Sequence, residues 1–202
     1  QCQKFQEIVS INVSHDLSAL TDADLVLLCV KSPDTENTMK QVSSIIPKEA
    51  VILSLQNGVA NVQIVKNLVV NPVYPAVVYV AAGMDGLRTM RHHGRGELLL
   101  GTMSAMTDQD SKTLALICQL FDGAGIPCSI ADEIKREMWL KFLINCSYNG
   151  ISAIGNVSYG EMNSVQEVKN LIGQITKEFL LIASMEGVHI SELEAKEANE
   201  SI

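Results

Sequence analysis

The sequence predicts an α/β fold followed by a helical segment. Three observations carry this: short apolar runs that stop at polar turn residues, helical spacing between those runs, and no further strand-like run after Ile130. Alternation of strand and helix suits a doubly wound parallel sheet with helices on both faces. The runs are continuous rather than alternating, which suits strands covered on both sides.

In chain order, Glu7 to Val13 reads as a short strand with Ile8, Val9, Ile11 and Val13 apolar. Asp22-Ala23-Asp24 leads into the run Leu25 to Val30, which ends at Lys31. Ser32-Pro33-Asp34-Thr35 reads as a loop and helix start. Asn37 to Ile46 has helical spacing through Met39, Val42, Ile45 and Ile46, and Pro47 ends it. Ala50 to Leu55 reads as a second buried strand stopping at Gln56-Asn57-Gly58, Asn61 to Leu68 as a short helix, and Val77 to Ala82 as a third strand. Gly83 to Thr102, rich in glycine and carrying Arg88, Arg91, His92 and His93, reads as a hairpin-like excursion with a loop at Gly94-Arg95-Gly96. Asp108 to Ala124 reads as a helix with Leu114, Ile117, Cys118 and Phe121 on one face, and Gly125 to Ile130 as a last short strand. Asp132 to Gly150 and Val165 to Gly187 have helical periodicity. The expected boundary lies near residue 131, giving an α/β domain over 1–131 and a helical domain over 132–202. The acidic run Glu192 to Glu200 reads as a solvated helix face or frayed end.

The chain has 202 residues, 47% apolar and 19% charged, which argues against disorder. A net charge of −8 weighs against sequence-independent nucleic-acid binding, which needs Lys and Arg to neutralise phosphates. No apolar run approaches the roughly 20 residues that span a bilayer, so no membrane partner is expected. Gln1-Cys2-Gln3-Lys4 has no secretory-signal character. The 5 cysteines are odd in number and lack C-x-x-C spacing, so reduced thiols in a cytoplasmic compartment are expected rather than disulfides or a zinc site. His92 and His93 are adjacent and cannot readily converge on one ion, so no metal is expected. Cys146 reads as a buried, inert thiol.

In open α/β sheets, ligands sit at the carboxyl ends of strands. Two strands end on suitable groups: Lys31, a flexible cation, and Asn57-Gly58, a donor–acceptor beside a residue that admits close approach. Ordinary loop chemistry is the competing reading. On the helix from Asp132, the residues Glu137, Lys141, Asn145 and Asn149 recur every four positions. Each such step drifts by only about 40° around the helix, so they form one polar stripe. Most of the positions between them, among them Met138, Trp139, Leu140, Phe142 and Leu143, are apolar, as is Ile134. A polar stripe on so apolar a helix must be hydrogen-bonded or face a cleft, and a structural network competes with a catalytic face. A desolvated lysine there could act as a general acid.

Lys141-Phe-Leu-Ile-Asn145-Cys-Ser-Tyr-Asn149, preceded by Glu137-Met-Trp139 and followed by Ser152-Ala153-Ile154, resembles the helix of ketopantoate reductases. Asp24-Leu-Val-Leu-Leu-Cys-Val-Lys31 and Leu53-Ser-Leu-Gln-Asn57-Gly58 resemble two further blocks of that family, in order and at matching spacing. The resemblance covers nearly the whole chain. It implies an incomplete Rossmann-like dinucleotide-binding domain followed by a partial all-helical domain. It implies reduction of 2-dehydropantoate (ketopantoate) to pantoate with NADP(H), in pantothenate biosynthesis. Lys141 would polarise or protonate the keto oxygen, Asn145 and Asn149 would hold the substrate, Asn57 would sit between nicotinamide ribose and substrate, and Lys31 would orient the cofactor. The expected partner is a small 2-oxo acid, and a homodimer is compatible. The sequence departs from the family pattern at Gly150, where a proline is usual. It also contains no strand–G-x-G-x-x-G–helix opening and stops at Ile202, before the family's later Ser and Glu. The expectation is therefore a chain truncated at both ends. Two alternatives stand beside it: a non-catalytic fragment or interaction module, and a related reductase of another 2-oxo acid.

Overall fold

The computed structural model describes residues 7–200. The chain divides into two compact units, one of Gln1–Gln56 and Ala60–Ile134, the other of Asn57–Val59 and Lys135–Ile202.

The first unit is built on a five-stranded sheet in the spatial order β1-β2-β3-β4-β5. Its strands are β1 (Leu25–Leu28), β2 (Val51–Ser54), β3 (Val73–Met84), β4 (Met90–Leu100) and β5 (Cys128–Ile130). β1 pairs parallel with β2 and β2 with β3, setting Leu28 opposite Ser54 and Ile52 opposite Val73. β3 and β4 pair antiparallel and β4 pairs parallel with β5, so the sheet is mixed. The parallel strands need crossover connections. These carry α1 (Thr35–Val42), α2 (Asn61–Lys66) and α3 (Asp108–Gly123).

The core follows from the apolar runs. Ile52 and Leu53 of β2 are wholly buried. Leu53, Tyr74, Ala76, Leu98 and Leu100 pack with Leu114, Ile117 and Cys118 of α3. Helix α3 starts at a capping box, in which the Thr107 hydroxyl accepts from the Asp110 amide while the Asp110 carboxylate accepts from the Thr107 amide. The Tyr74 hydroxyl donates to the same carboxylate at 2.7 Å. Burial, followed by this carboxylate, pushes the Tyr74 phenol up to about 12.

The second unit is helical: α4 (Ile134–Gly155, whose first residue belongs to the sheet unit), α5 (Tyr159–Met162), α6 (Gln166–Met185) and α7 (Glu192–Glu200). Trp139 and Leu143 of α4 pack with Phe179 and Ala183 of α6, Val188, and Ala195 of α7. The Trp139 and Phe179 rings meet edge-on at 5.5 Å, and Phe142 and Phe179 at 5.6 Å. Such edge contacts add about 0.5–1.5 kcal/mol beyond area burial. Val59 packs against the same cluster, which draws the short segment after β2 into the helical unit. The end of α6 is closed by Gly187 at φ +71° and by Lys135 Nζ, which donates to the Glu186 carbonyl at 2.7 Å. Arg136 pairs with Glu194 of α7. Among the described residues, no helix is long and apolar enough to cross a membrane.

Three local expectations are corrected. Residues 7–13 form no strand: they lack regular structure and are exposed, and no described strand pairs with them. An apolar pattern cannot make a strand without a ladder partner. Gly94-Arg95-Gly96 is not a loop but part of β4, where Arg95 takes φ +59° and the register with β3 shifts. Such irregularity is how an extra residue is absorbed without ending a strand. Gly150 does not end its helix, since α4 runs on to Gly155 and stops before Asn156 at φ +50°. Ile144 and Ile151, on either side of Gly150, pack against the Tyr148, Met162 and Ile172 cluster, and that burial outweighs the roughly 1 kcal/mol helix penalty of a glycine.

Candidate functional site

The carboxyl ends of β1 and β2 are tied together by buried polar groups. Gln56 Nε2 donates to the Val30 carbonyl at 2.8 Å and to Thr35 Oγ1 at 2.7 Å. Thr35 Oγ1 donates to Asn61 Oδ1 at 3.2 Å, and Asn61 Nδ2 donates to Ser32 Oγ at 2.9 Å. Thr35 and Asn61 are buried. Four loop and helix-start residues from two crossovers thus lock one another, which fixes the backbone on either side of Lys31 and immediately before Asn57. Lys31 is exposed beyond the end of β1 in the sheet unit. Asn57, also exposed, opens the segment that belongs to the helical unit. Gly58 takes φ +97°, a left-handed conformation that glycine adopts freely.

On α4 the periodicity holds. Met138, Trp139, Leu143, Ser147 and Tyr148 are buried, Lys141 and Asn145 are half-buried, and Asn149 is exposed. The stripe therefore grades from partly covered to open along one face. The other faces are held by the aromatic cluster at Trp139 and by the Tyr148 cluster. Burial raises the Cys146 thiol beside the stripe, so its thiolate is scarce.

At the open end of the stripe stands a pair of tyrosines. The Tyr159 hydroxyl donates to Asn149 Oδ1 at 2.5 Å. The Tyr159 ring lies 5.2 Å from that of Tyr148, whose hydroxyl donates to the Asn199 carbonyl at 2.9 Å. Burial, with Glu200 second, raises the Tyr148 phenol and keeps it a donor. Helix α5 is set by a capping box, with the Ser158 amide and hydroxyl donating to the Glu161 carboxylate at 2.8 and 2.7 Å. These bonds hold the Glu161 carboxyl below its ordinary range.

A cavity of about 540 Å³ in the helical unit lies elsewhere, lined by Tyr148, Ile172, Thr176, Leu180, Lys196 and Asn199. Lys141, Asn145 and Asn149 do not line it. The structure puts Lys141, Asn145 and Asn149 on one face of α4 and groups Asn57, which the sequence assigns to the 1–131 domain, with that unit, while Lys31 belongs to the sheet unit. The sequence reading missed Thr35, Asn61 and Tyr159. The signal for Tyr159 was present as Ser158-x-x-Glu161, a capping-box signature announcing a helix start.

Comparison with known proteins places this geometry in a family. Residues 2–105 match the model of ketopantoate reductase PanE/ApbA, and residues 133–202 match that of its C-terminal part. A 2-dehydropantoate 2-reductase of Halobacterium salinarum is 27% identical over 182 residues, covering 90% of this chain and 59% of that protein. The crystal structure of a PanE/ApbA family ketopantoate reductase from Ralstonia eutropha JMP134 superposes with a TM-score of 0.85 at 36% identity, covering all of this chain and 66% of that one. A D-mandelate dehydrogenase solved with NADH and anilino(oxo)acetate shares the fold, with a TM-score of 0.80 at 22% identity over 89% of this chain and 57% of that one. The chain spans about three fifths of the length of the curated relatives it matches. Two family models in sequence order, over a Rossmann-like sheet unit and a helical unit, place the chain in the ketopantoate reductase family.

Proposed function

We propose that the protein reduces a 2-oxo acid, with 2-dehydropantoate as the first candidate, using NADPH. The observation that carries this is the stripe of Lys141, Asn145 and Asn149 on a largely apolar stretch of helix, in a chain of this family. When bound, the cofactor supplies a hydride to the C2 carbonyl carbon. Lys141 places an ammonium at the carbonyl oxygen, opposes the charge that develops there and hands over the proton that completes the alcohol. Asn145 and Asn149 hold the substrate, and Asn57 serves as donor and acceptor between it and the ribose. Lys31 orients the cofactor by charge. The residues suit the nicotinamide end of such a cofactor: Asn57 is exposed, Gly58 permits close backbone approach, and Lys31 is a solvent-facing cation. NADP(H) over NAD(H), a place in pantothenate biosynthesis and a cytoplasmic location rest on the family resemblance, which also admits a homodimer.

The test is oxidation of NADPH by the purified protein on addition of 2-dehydropantoate, beside a panel of other 2-oxo acids. Lys141→Ala should lower kcat by at least about a hundredfold, the usual contribution of a positioned acid. Wild-type turnover in that variant would overturn the role of Lys141. A faster reaction with another 2-oxo acid would reassign the substrate.

A further inference from the structure

We propose that Tyr159 is a positioning residue: it holds the carboxamide oxygen of Asn149 and so turns the amide nitrogen outward, as a donor to the acceptor-only end of an oxo acid. The inference rests on reading Asn149 as substrate-binding and adds the group that sets its direction.

A carboxamide is two-faced, with one acceptor oxygen and one NH2. On an exposed stretch of helix, rotation by 180° exchanges them at little cost. A 2-oxo acid offers only acceptors at its carboxylate and keto oxygens, so half of the rotamers of a free asparagine would present the wrong atom. The Tyr159 phenol can donate or accept, but its 2.5 Å contact lies within the O–H···O range and below that of N–H···O, which selects the amide oxygen. It donates to Asn149 Oδ1 at 2.5 Å, and Asn149 remains exposed, leaving Nδ2 to face outward.

The phenol is itself fixed. Its ring leans on Tyr148, which is buried and anchored through its own hydroxyl to the Asn199 carbonyl. Its helix begins at the Ser158–Glu161 capping box, so the backbone that carries Tyr159 is set one residue before it. An acceptor locked from behind is the kind of support that turns a polar side chain into a directional one. Asn149 lies about 12 Å along the helix axis from Lys141, with Asn145 midway.

Four hydroxyl and amide variants separate positioning from mere stability. Tyr159→Phe should raise KM for the 2-oxo acid about three- to tenfold, the range of one net hydrogen bond, and leave kcat within about twofold. Tyr74→Phe, which removes a buried phenol of the sheet unit, should alter stability but leave KM unchanged. Asn149→Asp keeps the acceptor for Tyr159 and loses the donors, so KM should rise at least as far as in Tyr159→Phe. A normal KM in Tyr159→Phe beside a raised KM in Asn149→Ala would overturn the positioning role while sparing Asn149. Normal KM in both would remove Asn149 from the substrate site and the inference with it. If the wild type turned over no 2-oxo acid, the reading beneath the inference would fall. The Asn149 side-chain NH2 signal in 15N spectra, expected to move in Tyr159→Phe, would still decide whether the orienting bond exists.

Discussion

Gly101 stands where β4 leaves the sheet, and the first residue of α4 lies against it. A Cβ built there would be 2.5 Å from Ile134 Cβ, 3.0 Å from its Cγ2 and 3.2 Å from its Cγ1. Carbon atoms pack best at about 3.5–4.0 Å, so the nearest pair would overlap by roughly 1 Å. The closest atom is a Cβ, which no rotamer change can withdraw; relief requires backbone movement. The backbone is pinned, because Leu100 pairs with Ile130 and its carbonyl accepts the Ala131 amide at 2.8 Å. Overpacking of this kind costs about 1–3 kcal/mol. Against it stands the gain from restricting the unfolded chain, about 0.4–1 kcal/mol, which applies because Gly101 is not in the left-handed region. The clash wins, and Gly101→Ala should destabilise the protein by about 2 kcal/mol. In urea followed by circular dichroism, with a slope of roughly 2 kcal/mol per molar, the midpoint should fall by about 1 M. Ile134→Ala should not rescue it, because alanine retains the offending Cβ. Gly123→Ala, where nothing lies within 4 Å, should be neutral or stabilising. A Gly101→Ala protein as stable as wild type, or one rescued fully by Ile134→Ala, would refute the reasoning.

Two further predictions concern the Tyr74–Asp110–Thr107 network. The folded Tyr74 phenol is raised from 10.0 to about 12, so it contributes stability that is complete below pH 10 and lost as pH rises through 12. Tyr74→Phe should flatten the alkaline limb of the unfolding midpoint plotted against pH, and an unchanged limb would exclude Tyr74 as its source. Thr107→Ala removes the cap of α3 and should cost about 1 kcal/mol near neutral pH. The Thr107 hydroxyl, then its amide, then Tyr74 hold the Asp110 carboxyl below its ordinary range. The stability so contributed is present above 3.8 and lost as pH falls. The difference between Thr107→Ala and wild type should therefore shrink in acid, and thermal melts across pH would expose a constant difference.

What could be read from the residues was local. The run from Ala50 to Leu53 is apolar without a break because both faces are covered, and Leu114, Ile117 and Cys118 mark the inner face of α3. The four-residue repeat from Glu137 to Asn149 placed the polar stripe on α4 for the same reason. What escaped was relational. Ile8, Val9, Ile11 and Val13 look like a strand, but a strand exists only with a neighbour to pair with. Gln56 meets Val30 and Thr35 because parallel strands bring their carboxyl ends side by side, a closeness invisible in residues twenty or more positions apart. The bond between Tyr159 and Asn149 depends on a turn at Asn156 with φ +50°, which an asparagine tolerates but does not announce.

The placement of Val59 has a consequence for how the chain is made. Its side chain belongs to the cluster around Trp139, Phe179 and Ala195, yet it is synthesised about 80 positions before the first of them. No contiguous stretch shorter than residues 57–202 contains the whole helical unit, and that stretch also carries most of the sheet. The helical core can therefore close only after β3, β4 and β5 have been made, and it must recruit a residue through a long loop. Such distant pairings close late because their entropy must be met before their contacts form. In the order of translation, Val59 is made well before the helices against which it packs.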